Sequence, residues 1–121
     1  MARVTVVDDD ADIRFLVVRR LERAGHTVSE AADGEAGLAA IRADDPDLVV
    51  LDWMMPGLTG IDVLERLRAG DRLRPRVLML TARTQESDVA RAREAGADGF
   101  LVKPFTAPEL LDAVGALLDP A

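Results

Sequence analysis

Five short runs rich in β-branched and other apolar residues recur along the chain, and a segment of helical character follows each one. The runs are Arg3–Val7, Thr27–Glu30, Leu48–Leu51, Val77–Leu80 and Gly99–Val102. They are bounded by Asp, Gly or Pro and lack strict apolar–polar alternation, which is how strands covered on both faces read. Ile13, Leu16, Val17 and Leu21 mark one helical stripe. Ile61, Leu64 and Leu67 mark another, and Leu110, Leu111, Val114, Leu117 and Leu118 a third. The Ala-rich segments 34–43 and 86–96 carry weaker stripes. Asp10, Asp33 and Ser87 stand where N-caps are expected, and Gly25 and Gly96 where helices end. This alternation predicts an α/β fold with a parallel sheet, and right-handed crossovers place helices on both faces. No repeat, low-complexity tract or internal linker interrupts the pattern. The 121 residues therefore read as a single domain, with 119–121 a tail or the start of a linker.

Charge and composition remove several function classes. The net charge is −7, which argues against nucleic-acid binding by this domain itself. The absence of Cys excludes disulfides, thiolate metal sites and a Cys nucleophile. No apolar stretch approaches a membrane span, and the acidic start, MARVTVVDDD, does not read as a signal peptide, so no membrane partner and a cytoplasmic location are expected. Fourteen of the fifteen basic residues are Arg; the single Lys is Lys103. GC-rich codon usage accounts for the Arg excess but not for the place where the Lys survives.

In open parallel sheets the functional crevice lies beyond the C-terminal ends of the strands. The first run ends in Asp8-Asp9-Asp10, the third in Asp52, the fourth in Thr81 and the fifth in Lys103. Acids, a hydroxyl and the lone ammonium are thus delivered to one rim. Crowded carboxylates resist ionisation, and a divalent cation relieves them. Hard oxygen ligands select Mg²⁺ or Mn²⁺ with coordination positions left for phosphate oxygens. A Lys and a Thr opposite would take the remaining phosphoryl oxygens, and a carboxylate can itself be the nucleophile.

Four segments carry a specific resemblance: VTVVDDDADIR, DLVVLDWMMPGLTGIDVLERLR, VLMLTA and AREAGADGFLVKPF. In this order and spacing the chain resembles a response-regulator receiver domain along its whole length. The resemblance implies a doubly wound, flavodoxin-like (βα)5 sandwich with strand order 2-1-3-4-5. It implies that Asp52 accepts a phosphoryl group from a partner histidine kinase or phosphotransfer domain, making the chain a signalling switch rather than a metabolic enzyme. Such a receiver promotes its own phosphotransfer and slow hydrolysis. Asp9, Asp52 and the backbone carbonyl of Met54 would bind Mg²⁺ directly, with Asp8 acting through a water. Thr81 and Lys103 would hold the phosphoryl oxygens, and Ala82 would leave room beside them. Phe100 falls at the switch aromatic position, and the Lys103–Pro104 peptide is expected cis. Phosphorylation would change the surface of the fourth helix, fifth strand and fifth helix, read by a downstream protein or a covalently linked output domain.

Each assignment has a structural counterpart. Asp10 matches a helix cap better than the acidic pair. Phe100 is as well explained by core packing, His26 lies far from the crevice, and Trp53 is expected to pack beneath the site. Pro56 and Gly57 shape the loop after the acceptor. Two positions near the acceptor often carry polar groups in fast-hydrolysing relatives; here they are Met54 and Arg83, which predicts a long-lived phosphoryl group. Receivers joined to winged-helix domains usually show a second acid before the switch aromatic and Arg in the last helix. This chain has Gly99 and the unbasic PELLDAVGALLD, so the salt-bridged dimer of that face is not expected. An aspartate-nucleophile phosphohydrolase would need a Thr where Asp12 stands, and more chain. A flavin module would need a phosphate loop where the acids lie. A degenerate receiver would lack site residues that are all present.

Overall fold

In a computed structural model the chain is described over residues 2–70, 75–82 and 85–118. The strands are β1 (Arg3–Val7), β2 (Thr27–Ala31), β3 (Leu48–Asp52), β4 (Arg76–Thr81) and β5 (Gly99–Val102). The helices are α1 (Ala11–Arg23), α2 (Gly34–Asp44), α3 (Gly60–Gly70), α4 (Glu86–Ala95) and α5 (Ala107–Leu118). All strand pairs are parallel, in the order β2-β1-β3-β4-β5. The expected doubly wound (βα)5 sheet is therefore present. Successive residues along a strand point to opposite faces, and two cores result. Val7, Val49, Leu51, Val77 and Met79 face α2, α3 and α4. Val4, Val6, Leu48, Val50, Leu78 and Leu80 face α1 and α5. Every residue of β3 is buried, which fits a central parallel strand.

The strand ends extend past their sequence-based limits. Asp52 and Thr81 are the last residues of their strands rather than the first residues beyond them. Asp52 pairs with Leu80, and the Trp53 amide donates to the Leu80 carbonyl at 3.0 Å. The sheet therefore fixes both of these candidate side chains directly.

Helix ends agree with local chemistry in most places. Asp10 caps α1 by accepting from the Asp12 and Ile13 amides, and Asp33 caps α2 by accepting from Ala36. The Ser87 expectation is corrected: Gln85 is the N-cap of α4, and Ser87 lies inside the first turn. Gln85 makes no side-chain cap bond there, so α4 starts without the bond that Ser, Thr or Asp would supply. Gly25 follows α1 at φ 98° and Gly96 ends α4 at φ 110°. The α2 terminus instead uses Asp45 at φ 47°, a left-handed position occupied without glycine. Two reciprocal capping boxes start the other helices. Thr59 and Asp62 exchange such bonds at α3, and Thr106 and Glu109 at α5. Gly99 has a packing reason: a Cβ there would lie 2.9 Å from a Leu117 methyl and 3.2 Å from Leu78. Residues 119–121 and Arg83 lie outside the described residues. Among the described residues, no helix is long and apolar enough to cross a membrane.

Candidate functional site

The C-terminal strand ends bring Asp8, Asp9, Asp52, Thr81 and Lys103 to one rim. Asp8 follows β1 directly and is fully buried, while Asp9 beside it is exposed. Asp52 is 4% exposed and Thr81 1%. Asp8, Asp9 and Asp52 each offer a carboxylate oxygen, and these three oxygens lie within 4.8 Å of one another. Lys103 Nζ donates to Asp52 Oδ1 at 2.9 Å and to Asp8 Oδ2 at 3.2 Å. Its backbone amide donates to the Thr81 carbonyl at 2.8 Å, so the single Lys is fixed at both ends of its residue. The Lys103–Pro104 peptide is cis.

The electrostatics are unbalanced. Burial pushes the Asp52 carboxyl up, the hydrogen bond from Lys103 pulls it back, and the nearby Asp8 charge pushes it up again; the net value is about 6. For Lys103, burial pushes the ammonium down. The hydrogen bond to Asp52 and the Asp8 and Asp52 charges outweigh it, and the net shift is upward. One ammonium faces three convergent carboxylates. An all-oxygen donor set with excess negative charge is what a hard divalent cation would satisfy.

The surrounding loop is held from below. Trp53 is buried in the core and meets Phe100 edge-to-face, with ring centroids 6.3 Å apart and planes at 88°. Trp53 thus lies beneath the rim as expected. Phe100 is half-buried against the same cluster, so its core packing is real whatever else it does. Met54 is 56% exposed at the start of the loop. Gly57 adopts φ 77°, the conformation that favours glycine at this turn. Asp10 is committed to its cap, and His26 lies at the other end of the sheet, where Nδ1 accepts the Ala2 amide at 3.1 Å.

Two supporting residues escape sequence reasoning. Gly60 donates its amide to the Trp53 carbonyl at 2.8 Å. A Cβ there would collide with the Asp52 carbonyl oxygen and lie 2.9 Å from Trp53 Cα. The glycine thus lets α3 start against the backbone at the end of β3. Arg14 is the second, donating from Nη1 to the Asp8 carbonyl oxygen at 2.8 Å. A tertiary approach of this kind leaves no local pattern to read.

Comparison with known proteins agrees with this geometry. The family description "Response regulator receiver domain" matches residues 4–115. The alkaline phosphatase synthesis transcriptional regulatory protein PhoP of Bacillus subtilis is 42% identical over 116 residues, covering 96% of this chain and 48% of that protein. Response regulator MprA of Mycolicibacterium vanbaalenii is 46% identical over 117 residues, covering 96% of this chain and 50% of the relative. The chain spans about half the length of the curated relatives it matches. The chemotaxis protein CheY4 of Vibrio cholerae superposes with a TM-score of 0.92 at 35% identity, covering 98% of this chain and 99% of that one. The motifs, the strand order and these likenesses converge: the chain belongs to the response regulator receiver domain family, the phosphorylation-dependent switches of two-component signalling.

Proposed function

We propose that Asp52 is the phosphoryl acceptor of this receiver, that a histidine kinase or phosphotransfer protein is the donor, and that Mg²⁺ is required. One observation carries the reading: a buried carboxylate, Asp52, lies 2.9 Å from the only Lys and converges with Asp8 and Asp9 at the open end of a parallel sheet. An Asp52 oxygen attacks the phosphorus of a phosphohistidine; the P–N bond breaks as the P–O bond forms, and the imidazole nitrogen leaves with the electron pair. Lys103 and Thr81 would bind the equatorial oxygens of the transferring group, which is most of what phosphoryl transfer asks of a protein. Asp9, Asp52 and the Met54 carbonyl would hold Mg²⁺, or Mn²⁺ in its place, directly, and Asp8 would hold it through a water. When bound, the ion supplies charge neutralisation for the carboxylates and the phosphoryl oxygens.

The consequence of phosphorylation is a surface change. Thr81 ends β4 and Lys103 opens the β5–α5 connection, so drawing them toward a phosphoryl group would pull on the face of α4, β5 and α5. Phe100 would follow as the switch aromatic, leaving or tightening its contact with Trp53. Met54, exposed and apolar at the rim, offers an attacking water no hydrogen bond from its thioether chain comparable to a polar side chain. The phosphoryl lifetime is expected to be minutes to hours. The last turn of α5 carries no basic residue, and the phosphorylated chain is expected to sediment as a monomer. An output domain or a downstream protein would read the altered face.

The test uses Trp53, the only Trp. Its fluorescence should change saturably with MgCl₂, and change again when beryllofluoride is added with Mg²⁺. No response to either would overturn the reading.

A further inference from the structure

Arg14 sets a cation against the backbone of the acidic rim. It lies in α1 with a side chain 18% exposed. Its Nη1 donates to the Asp8 carbonyl oxygen at 2.8 Å, and its Nε donates to Glu30 Oε1 at 2.9 Å. That carbonyl belongs to the peptide joining Asp8 to Asp9. The Asp8 amide on the other side donates to the Ala31 carbonyl at 3.2 Å. Glu30 and Ala31 are the last two residues of β2. One edge strand therefore holds the Asp8 backbone twice, directly through Ala31 and through the fork of Arg14. The Asp8 carboxylate is oriented in turn by the Asp10 amide on Oδ1 at 2.9 Å and Lys103 on Oδ2.

We propose that Arg14, aligned by Glu30, is a positioning residue for divalent-cation binding: it holds the Asp8–Asp9 peptide so that both carboxylates converge with Asp52. The inference rests on the metal-dependent reading of those three acids. A guanidinium suits the task because its planar fork satisfies a carbonyl and a carboxylate at once with fixed relative geometry. Outer groups that orient metal-binding side chains typically matter by 10- to 100-fold in affinity.

The charge of Arg14 makes the proposal sharp. A nearby positive charge repels a cation, so by Coulomb's law alone Arg14→Gln should bind Mg²⁺ more tightly. Positioning predicts the opposite sign. The experiment is calorimetric titration of the full chain with MgCl₂, supported by Trp53 fluorescence, for the unaltered chain, Arg14→Gln and Arg14→Lys. Arg14→Gln should raise the Kd about 10-fold. Arg14→Lys keeps the charge and loses the fork, so its Kd should rise less, in the same direction. Phosphorylation by acetyl phosphate should then need proportionally more Mg²⁺ for half its maximal rate, with the rate at saturating Mg²⁺ preserved. A residue that only supported the fold would lower that plateau through the folded fraction and leave the midpoint in place.

Equal or tighter Mg²⁺ binding by Arg14→Gln would overturn the proposal. Should that variant fail to fold, an unchanged Kd for Arg14→Lys would overturn it instead. An unaltered chain that binds no Mg²⁺ would defeat the metal reading itself, and this inference with it.

Discussion

At the N-terminal end of the sheet, Asp98 accepts the Val77 amide at 2.8 Å and lies 3.1 Å from Arg68 and 3.9 Å from Arg76. At the C-terminal end, Asp52 shares one ammonium with Asp8 and lies in reach of Asp9. Both acids sit beside a strand end on the same sheet. Asp98 is surrounded by donors and cations, and it ties α3 to the β4–β5 edge; Arg68 also donates to the Gly96 carbonyl at 2.9 Å. Asp52 is surrounded by other acids, and its carboxyl is pushed up to about 6. The difference separates an acid that stabilises the fold from one whose ionisation the fold opposes. Three convergent carboxylates facing one ammonium keep negative charge uncompensated, the condition that the proposed Mg²⁺ would relieve.

This contrast can be broken by paired substitutions whose effects on stability have opposite signs. Asp98→Ala leaves the Val77 amide and two guanidinium groups without their acceptor. It should destabilise the metal-free chain by about 2–3 kcal/mol in urea unfolding, without abolishing phosphorylation of the folded protein. Asp52→Asn should do the reverse at pH 7. Raising a carboxyl from 3.8 to about 6 costs at most about 3 kcal/mol, and Asn forfeits part of the Lys103 bond, so a net gain of about 1–2 kcal/mol is expected. An Asp52→Asn variant less stable than the parent would break the comparison.

The pH dependence sharpens it. Below 3.8 the Asp52 carboxyl is protonated in both folded and unfolded chains, and the cost is absent. As pH rises the unfolded chain ionises first, so stability falls until about pH 6 and then levels. Asp62 titrates with the other sign. The Thr59 amide and hydroxyl hold its carboxyl below the ordinary range, so its contribution is complete above 3.8 and lost on acidification. The stability advantage of Asp52→Asn over the parent should therefore shrink from pH 7 to pH 4, and an advantage independent of pH would contradict the assignment.

Smaller effects should come from positions outside both clusters. Thr106→Ala removes the cap of α5 and should cost about 1 kcal/mol by thermal or urea unfolding. Breaking the Glu65–Arg91 pair between α3 and α4, with both side chains 48% exposed, should cost no more than about 0.5 kcal/mol.

Much of the candidate site is legible in the sequence because parallel strands end on one edge. Once the runs before Asp8, Asp52, Thr81 and Lys103 are read as strands, their following residues must share a rim. The strand order and two of the three expected N-caps also stand. Ser87 failed because a serine near a helix start caps only when its backbone is extended, and that place fell to Gln85. Asp45 at the end of α2 was not legible, since left-handed positions are looked for at glycine. Gly60 and Arg14 are invisible for another reason: both act on backbone that only the folded chain brings against them, Gly60 on the end of β3 and Arg14 on the peptide between two acids.

The most direct test of the central claim is intact-mass spectrometry after incubation with acetyl phosphate, with and without MgCl₂. The account predicts the mass gain of one phosphoryl group, dependent on Mg²⁺ and absent in Asp52→Asn. A gain of the same size in Asp52→Asn, or none in the unaltered chain with Mg²⁺ present, would contradict it.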